Sequence, residues 1–157
     1  MKIVAVGCDH AGSDLKKELI QLLEAAGLSV LDCGTNSESS VDYPDYGAKV
    51  ASAVSRREVD RGILICGTGI GMSIVANKFK SVRAALCHDL FTAKASREHN
   101  DSNVLVLGGR ILSSEMAKEI VTLWLNTSYS GGRHDRRLKK ILDIEESLEG
   151  KPKKSTD

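Results

Sequence analysis

The sequence predicts an α/β fold in three layers: a five-stranded parallel sheet, helices on both of its faces, and one extra helix at the carboxyl terminus. Two features of the chain predict it. Short β-branched runs alternate throughout with stretches of helical apolar periodicity, the pattern of strands buried on both sides and joined by crossover helices. The length of 157 residues suits one domain with a proper core and leaves little over.

The first strand runs from Ile3 to Val6. Leu15, Leu19, Leu22, Leu23 and Ala26 then make one apolar helical stripe, and Gly27 closes that helix as a glycine beyond its end would. The second strand is Ser29 to Asp32, after which Pro44 stands where a crossover helix can begin. Strands three, four and five are Gly62 to Cys66, Arg83 to Cys87 and Asn103 to Leu107. Ala117, Ile120, Val121 and Trp124 form a second core stripe at helical spacing. Past Gly131, "HDRRLKKILDIEESLEG" reads as a charged amphipathic helix with Leu138, Ile141, Leu142 and Leu148 on one side. It follows an already complete sandwich, so its apolar face packs either on its own domain or on a partner subunit. The domain is therefore 1–150, with 131–150 as the carboxyl-terminal helix and 151–157 as a disordered tail.

Lysine and arginine number 22 against 21 acidic residues. That balance excludes the broad positive field of a nucleic-acid or anionic-membrane binder, so any anion site is local. "MKIVAVG" is too short for a signal-peptide core or a membrane span, and a cytoplasmic protein is expected. Cys8, Cys33, Cys66 and Cys87 make no C-x-x-C pair and no zinc-like Cys/His spacing. Reduced thiols, no metal and no disulfide framework follow.

Ligands of open parallel sheets bind beyond the carboxyl ends of the strands, where strand order reverses. The first strand exits into "GCDHAGSD", the third into "CGTGIGMS" and the fifth into "GGRILSS". With an order beginning 2-1-3, Asp9 and His10 would face Cys66 and Thr68 across one crevice. Gly67, Gly69 and Gly71 miss the G-x-G-x-x-G dinucleotide pattern, since Met72 falls where its third glycine belongs, and no P-loop Gly-Lys-Ser/Thr follows. Asp89, near the distance of a ribose-binding acid, does not restore the motif. Two readings stay open for these glycines: amides converging on a phosphate or oxyanion, or a tight strand-to-helix turn without ligand. Cys66 is either a small buried side chain, as Cys8, Cys33 and Cys87 are read, or a thiolate favoured by the helix that follows it.

"SREHND" puts His99 and Asn100 at a helix end on the rim of the sheet, where a histidine commonly serves as a cap. His88 and His134 read as surface residues. Arg133 and Arg137 are four apart and share a helix face, either as a solvated charge run or as a phosphate clamp. Arg110 carries the same two readings.

The stretches "GCDHAG", "VDYPDYG", "ILICGTGIGMSIVANK", "SREHND" and "GGRHDRR" occur in this order, and the chain closely resembles the type B ribose-5-phosphate isomerases up to about Gly150. The resemblance implies a Rossmann-like α/β/α sandwich, a homodimer or dimer of dimers with shared active sites, and a sugar-phosphate substrate handled without cofactor or metal. Cys66 would then be the base moving a proton between C2 and C1 of the sugar through an enediolate. Thr68 would shuttle a proton between the two oxygens, and the amides of Gly67, Thr68, Gly69, Ile70 and Gly71 would hold the oxyanion. His99 with Asp9 would open the furanose ring. His10, Arg110, Arg133 and Arg137 would surround the phosphate, with Asn100 and Tyr43 shaping the pocket. One branch of the family has serine for this cysteine and glutamate at the position of Met72; Cys66 and Met72 place this chain with the cysteine branch.

Allose 6-phosphate and galactose 6-phosphate are the alternative substrates within the same fold. A non-catalytic sugar-phosphate binding module is the alternative of another class, and a redox-sensing thiol protein a third. Cys66→Ala separates the first two classes, because a binder tolerates it and an isomerase does not.

Overall fold

The structure is a computed structural model and describes residues 2–150. The expected tail, 151–157, lies outside the described residues. Strands β1 (Ile3–Cys8), β2 (Ser29–Asp32), β3 (Arg61–Cys66), β4 (Ala84–Leu86) and β5 (Val104–Gly108) form one parallel sheet in the order β2-β1-β3-β5-β4. Helices α1 (Ser13–Ala25), α2 (Tyr43–Ser55), α3 (Ile70–Ala76), α4 (Leu90–Asn100), α5 (Ser114–Asn126) and α6 (Arg133–Glu149) connect and flank it. The chain leaves β1 toward β2 and returns past β1 to β3, so strand order reverses between β1 and β3. That is the expected crevice position.

Alternation along each strand assigns the two faces. Val4, Val6, Cys8, Ile63, Ile65, Leu105 and Leu107 pack with Leu19 and Leu23 of α1, Ala93 of α4, and Ala117, Ile120, Val121 and Trp124 of α5. Ala5, Leu64, Cys66, Val104 and Val106 pack instead with Val50, Ala51 and Val54 of α2 and with Met72 and Ala76 of α3. Central strands buried on both faces need apolar residues at every position, which is why β3 and β5 read as continuous runs. Leu19 and Leu23 are fully buried as the stripe requires. Ala26 is not: it is the exposed cap of α1, and Gly27 turns the chain away at φ +78°.

Pro44 sits in the first turn of α2, as expected, one residue after Tyr43 opens the helix. The carboxyl-terminal helix begins at Arg133 and not at 131, because Gly131 and Gly132 adopt φ +64° and +61° and turn the chain into it. Its apolar residues are largely uncovered: Ile141, Leu142, Ile144 and Leu148 are 40–63% exposed. Its carboxyl half is tied to the domain by Lys80 to Glu149 at 2.6 Å and by the Ser81 amide to Glu145 at 2.8 Å.

At the edge of the sheet the three-residue strand β4 is fenced by a side chain. The Asn77 amide accepts from Ala84 N–H at 2.9 Å and donates to Ala84 C=O at 3.0 Å. No described helix is long and apolar enough to cross a membrane.

Candidate active site

Cys66 ends β3 with its side chain toward the α2/α3 layer and is 5% exposed. The following turn aims a donor back at it: Gly69 N–H lies 3.2 Å from Cys66 Sγ, a bond that a thiolate accepts more strongly than a thiol. The turn requires glycine there, since Gly69 has φ +79° and a Cβ would collide with the Leu86 side chain and press on the Leu107 carbonyl. Thr68 stands exposed at the tip, its Oγ1 accepting Ile70 N–H at 3.3 Å and its own proton free to donate. Two amides of the glycine loop thus already serve Cys66 and Thr68. Ile70 itself is 55% exposed at the start of α3.

The neighbouring strand exits close around this turn. Asp9 is 6% exposed and caps a short 3-10 turn, its Oδ1 accepting Ala11 N–H at 2.9 Å. His10 Nδ1 accepts Val41 N–H at 3.1 Å, so a neutral His10 carries its proton on Nε2, a donor aimed away from that bond. After β5, Gly109 N–H reaches Cys66 C=O at 2.8 Å and Arg110 N–H reaches Gly67 C=O at 2.9 Å. The Arg110 guanidinium lies over Gly67, with Nη1 3.0 Å from where a Cβ would stand. Tyr43 covers Gly71 so closely that a Cβ there would come within 2.5 Å of the ring. Met72 is fully buried, so it offers the crevice no polar group.

The structure therefore brings Asp9, His10, Tyr43, Cys66, Gly67, Thr68, Gly69, Ile70, Gly71 and Arg110 to one end of the sheet. It does not bring His99, Asn100, Arg133 and Arg137 there. Helix α4 runs back from the exit of β4 toward the start of β5, so its last residues lie at the amino ends of the strands. Arg83, just before β4, donates from Nε to the carbonyls of Asn100 and Asp101 at 3.1 and 3.0 Å. Ser130 N–H bonds Glu98 C=O at 3.0 Å and brings the start of α6 to the same end. The length of β3, on the order of 17 Å for six residues, separates the two groups within one chain.

Two surface expectations are corrected, His134 at that amino end and His88 at the carboxyl end. His134 is 7% exposed, and its ring stacks on His99 with centroids 4.5 Å apart and planes 17° from parallel. Burial, then the neighbouring His99, Arg133 and Arg137, hold His134 below the ordinary histidine range. The two rings lie 35 positions apart in the chain, so no local spacing announces their contact. His88 is the other correction: it is half-buried, and its Nε2 is enclosed without a hydrogen-bond partner among the described residues, against Gly108 beside the Thr68 carbonyl. Of the remaining cysteines, Cys8 and Cys87 are buried as small core side chains, as expected, and Cys33 is not. Burial pushes Cys8 up to about 11 and raises Cys87, and Cys33, only partly buried, is raised by burial and by Asp32.

Known proteins share this fold. The sequence model of the Ribose/Galactose Isomerase family matches residues 4–141. The chain belongs to that family. It is 51% identical to ribose-5-phosphate isomerase B of Escherichia coli over 146 residues, 93% of this chain and 98% of that protein. Among solved structures, ribose-5-phosphate isomerase B of Clostridium thermocellum superposes with a TM-score of 0.91 at 49% identity, covering 93% of this chain and 99% of the other. The Mycoplasma genitalium enzyme, solved with bound ribulose 5-phosphate, superposes with a TM-score of 0.89 at 39% identity, covering 92% and 96%. Family membership extends over both ends of the sheet and into α6.

Proposed function

We propose that the protein interconverts ribose 5-phosphate and ribulose 5-phosphate in the cytoplasm, with Cys66 as the proton carrier and no metal. One observation carries the reading: a thiol at the strand-order reversal, faced by a backbone N–H and flanked by a hydroxyl, a buried carboxylate and two anion-binding side chains. An aldose–ketose isomerase needs a proton carrier, donors for a developing oxyanion and an anchor for the phosphate. The carboxyl end of the sheet supports each role.

The groups at the amino end complete the site only from a second copy of the chain. In this reading two chains pack so that His99, Asn100, Arg133 and Arg137 of one reach the crevice of the other, and the uncovered apolar residues of α6 fit such an interface. The phosphate is held by His10 Nε2–H and Arg110 with the second copy's arginines, paired guanidiniums being suited to its oxygens. Ring opening breaks the bond between C1 and the ring oxygen while one proton passes from the anomeric hydroxyl to that oxygen, exchanged through His99 and Asp9. The Cys66 thiolate then takes the proton from C2, the electron pair moving through C1=C2 to leave charge on O1. Thr68 carries the O2 proton to O1, and the thiol returns its proton to C1 as C2=O2 forms. The four free thiols fit a reducing compartment.

The test is isomerisation of ribose 5-phosphate by purified protein with chelator present, beside Cys66→Ala and with allose 6-phosphate in parallel. Activity that survives chelation and drops by about 10²–10⁴-fold in the variant, with substrate affinity kept, supports the thiolate role. Activity greater on the six-carbon sugar moves the substrate, and activity retained in Cys66→Ala removes the mechanism.

A further inference from the structure

We infer that His134 is a positioning residue for His99: its ring, stacked on the His99 imidazole of the same chain, fixes the plane in which His99 meets the sugar during ring opening. The inference rests on the reading above, in which His99 takes part in that step. An imidazole exchanges protons along the in-plane lone pairs of its two nitrogens, so a ring turned about its bond to Cβ presents a face and transfers nothing. The terminal torsion of histidine is broad and roughly two-fold, and His99 is half-buried on the penultimate residue of α4. Left alone, its plane would be poorly defined. The near-parallel stack at 4.5 Å covers one face of the ring and leaves both nitrogens at its edge for substrate.

The backbones carrying the two rings are fixed to one another, which makes the stack a fixture and not a chance approach. Ser130 N–H holds Glu98 C=O at 3.0 Å, one residue before His99 and four before His134. Gly131 and Gly132, at φ +64° and +61°, turn the chain so that His134 N–H closes on Gly131 C=O at 3.2 Å. Tyr129 Oη donates to Asp135 Oδ1 at 2.7 Å across the same turn. On the other side, Arg97 clamps the end of α4 through the Asp101 carboxylate at 2.8 Å and the carbonyls of Ser102 and Thr127 at 2.5 and 3.3 Å.

The charges facing His134 are His99 from α4 and Arg133, Arg137 and Asp135 from its own helix. Burial first, then the neighbouring His99, Arg133 and Arg137, hold it below the ordinary histidine range, which disfavours a charged ring against His99. It therefore works by contact and leaves the proton chemistry to His99.

Ribulose 5-phosphate separates this role from a merely structural one. Its carbonyl at C2 and phosphate on O5 leave no hydroxyl able to close a five-membered ring, so exchange of its C1 proton with solvent deuterium needs Cys66 and the phosphate grip but no ring opening. In His134→Ala, turnover of ribose 5-phosphate is expected to fall on the order of 10²-fold, while KM and the C1 exchange rate stay within about threefold of wild type. His134→Phe, which keeps a flat ring, is expected to recover most of the turnover. Equal loss of turnover and exchange, or a rise in KM alone, would mean that His134 only holds α6 and its arginines, and the inference fails. Unchanged turnover in His134→Ala overturns it too. A wild type that turns over neither ribose nor ribulose 5-phosphate overturns the ribose reading first and this inference with it.

Discussion

The two ends of the sheet differ in the groups they carry and in how those groups are held. At the carboxyl end, a thiol, a hydroxyl, a buried carboxylate and a guanidinium converge on short loops whose backbones bond one another. At the amino end, two stacked imidazoles and two exposed arginines sit where α4 stops and α6 starts. In the proposed mechanism the first end moves a proton between carbons and the second grips an anion and passes protons between oxygens, yet the length of a strand lies between them within one chain. Parallel sheets put ligand loops at one end by topology. In the proposed reading, function at the other end is supplied by helices and completed by another chain.

The sharpest way to break that comparison is to inactivate the ends separately and mix them. Cys66→Ala and His99→Asn are each expected to lose about 10²-fold or more in turnover alone. If the halves belong to different chains, unfolding and co-refolding the two variants restores about a quarter of wild-type activity through mixed dimers; if each site uses one chain, the mixture stays inactive. A smaller effect is expected for Arg137→Ala, which in the proposed reading removes one charge-assisted contact to phosphate. Its KM should rise about tenfold or more with little change in the chemical step, read by steady-state kinetics.

Below these comes a stability effect confined to the carboxyl end. Gly69→Ala forces a side chain into φ +79° against Leu86 and Leu107, and chemical denaturation should register a loss of about 1–3 kcal/mol. The amino end sets the smallest effect, one of pH. His134 is depressed in the folded state by burial first, so the unfolded chain binds that proton more readily. Its contribution is fully present above the unfolded histidine value and declines as pH falls toward the folded one. His134→Phe should therefore flatten the acid side of the stability curve between pH 7 and 5, measured by thermal melts.

How far the sequence could be read follows the same division. The carboxyl end was legible because β-strand exits are local: Asp9 and His10, then Cys66 to Gly71, then Arg110 each sit within a few residues of a strand whose short apolar run announces itself. Gly27 and Pro44 were legible for the same reason, each marking a backbone constraint at its own position. The stack of His134 on His99 was not, because it joins residues 35 apart through a turn made by two glycines. The placement of β5 inside β4 was also hidden. Both read as five-residue apolar strands, and nothing in their pattern says which is the edge; the structure shortens β4 to Ala84–Leu86. Helix α6 read correctly as amphipathic, but periodicity cannot say that its apolar residues stay uncovered in one chain.

That edge strand has a bearing on how the protein survives at high concentration. A row of unpaired amides and carbonyls is a template on which another chain can add a strand, and short, blocked edges are how native sheets avoid it. The Asn77 side chain answers Ala84 with one donor and one acceptor, reproducing what a neighbouring strand would offer. A single carboxamide thus occupies the start of the β4 edge and denies that stretch to an incoming strand.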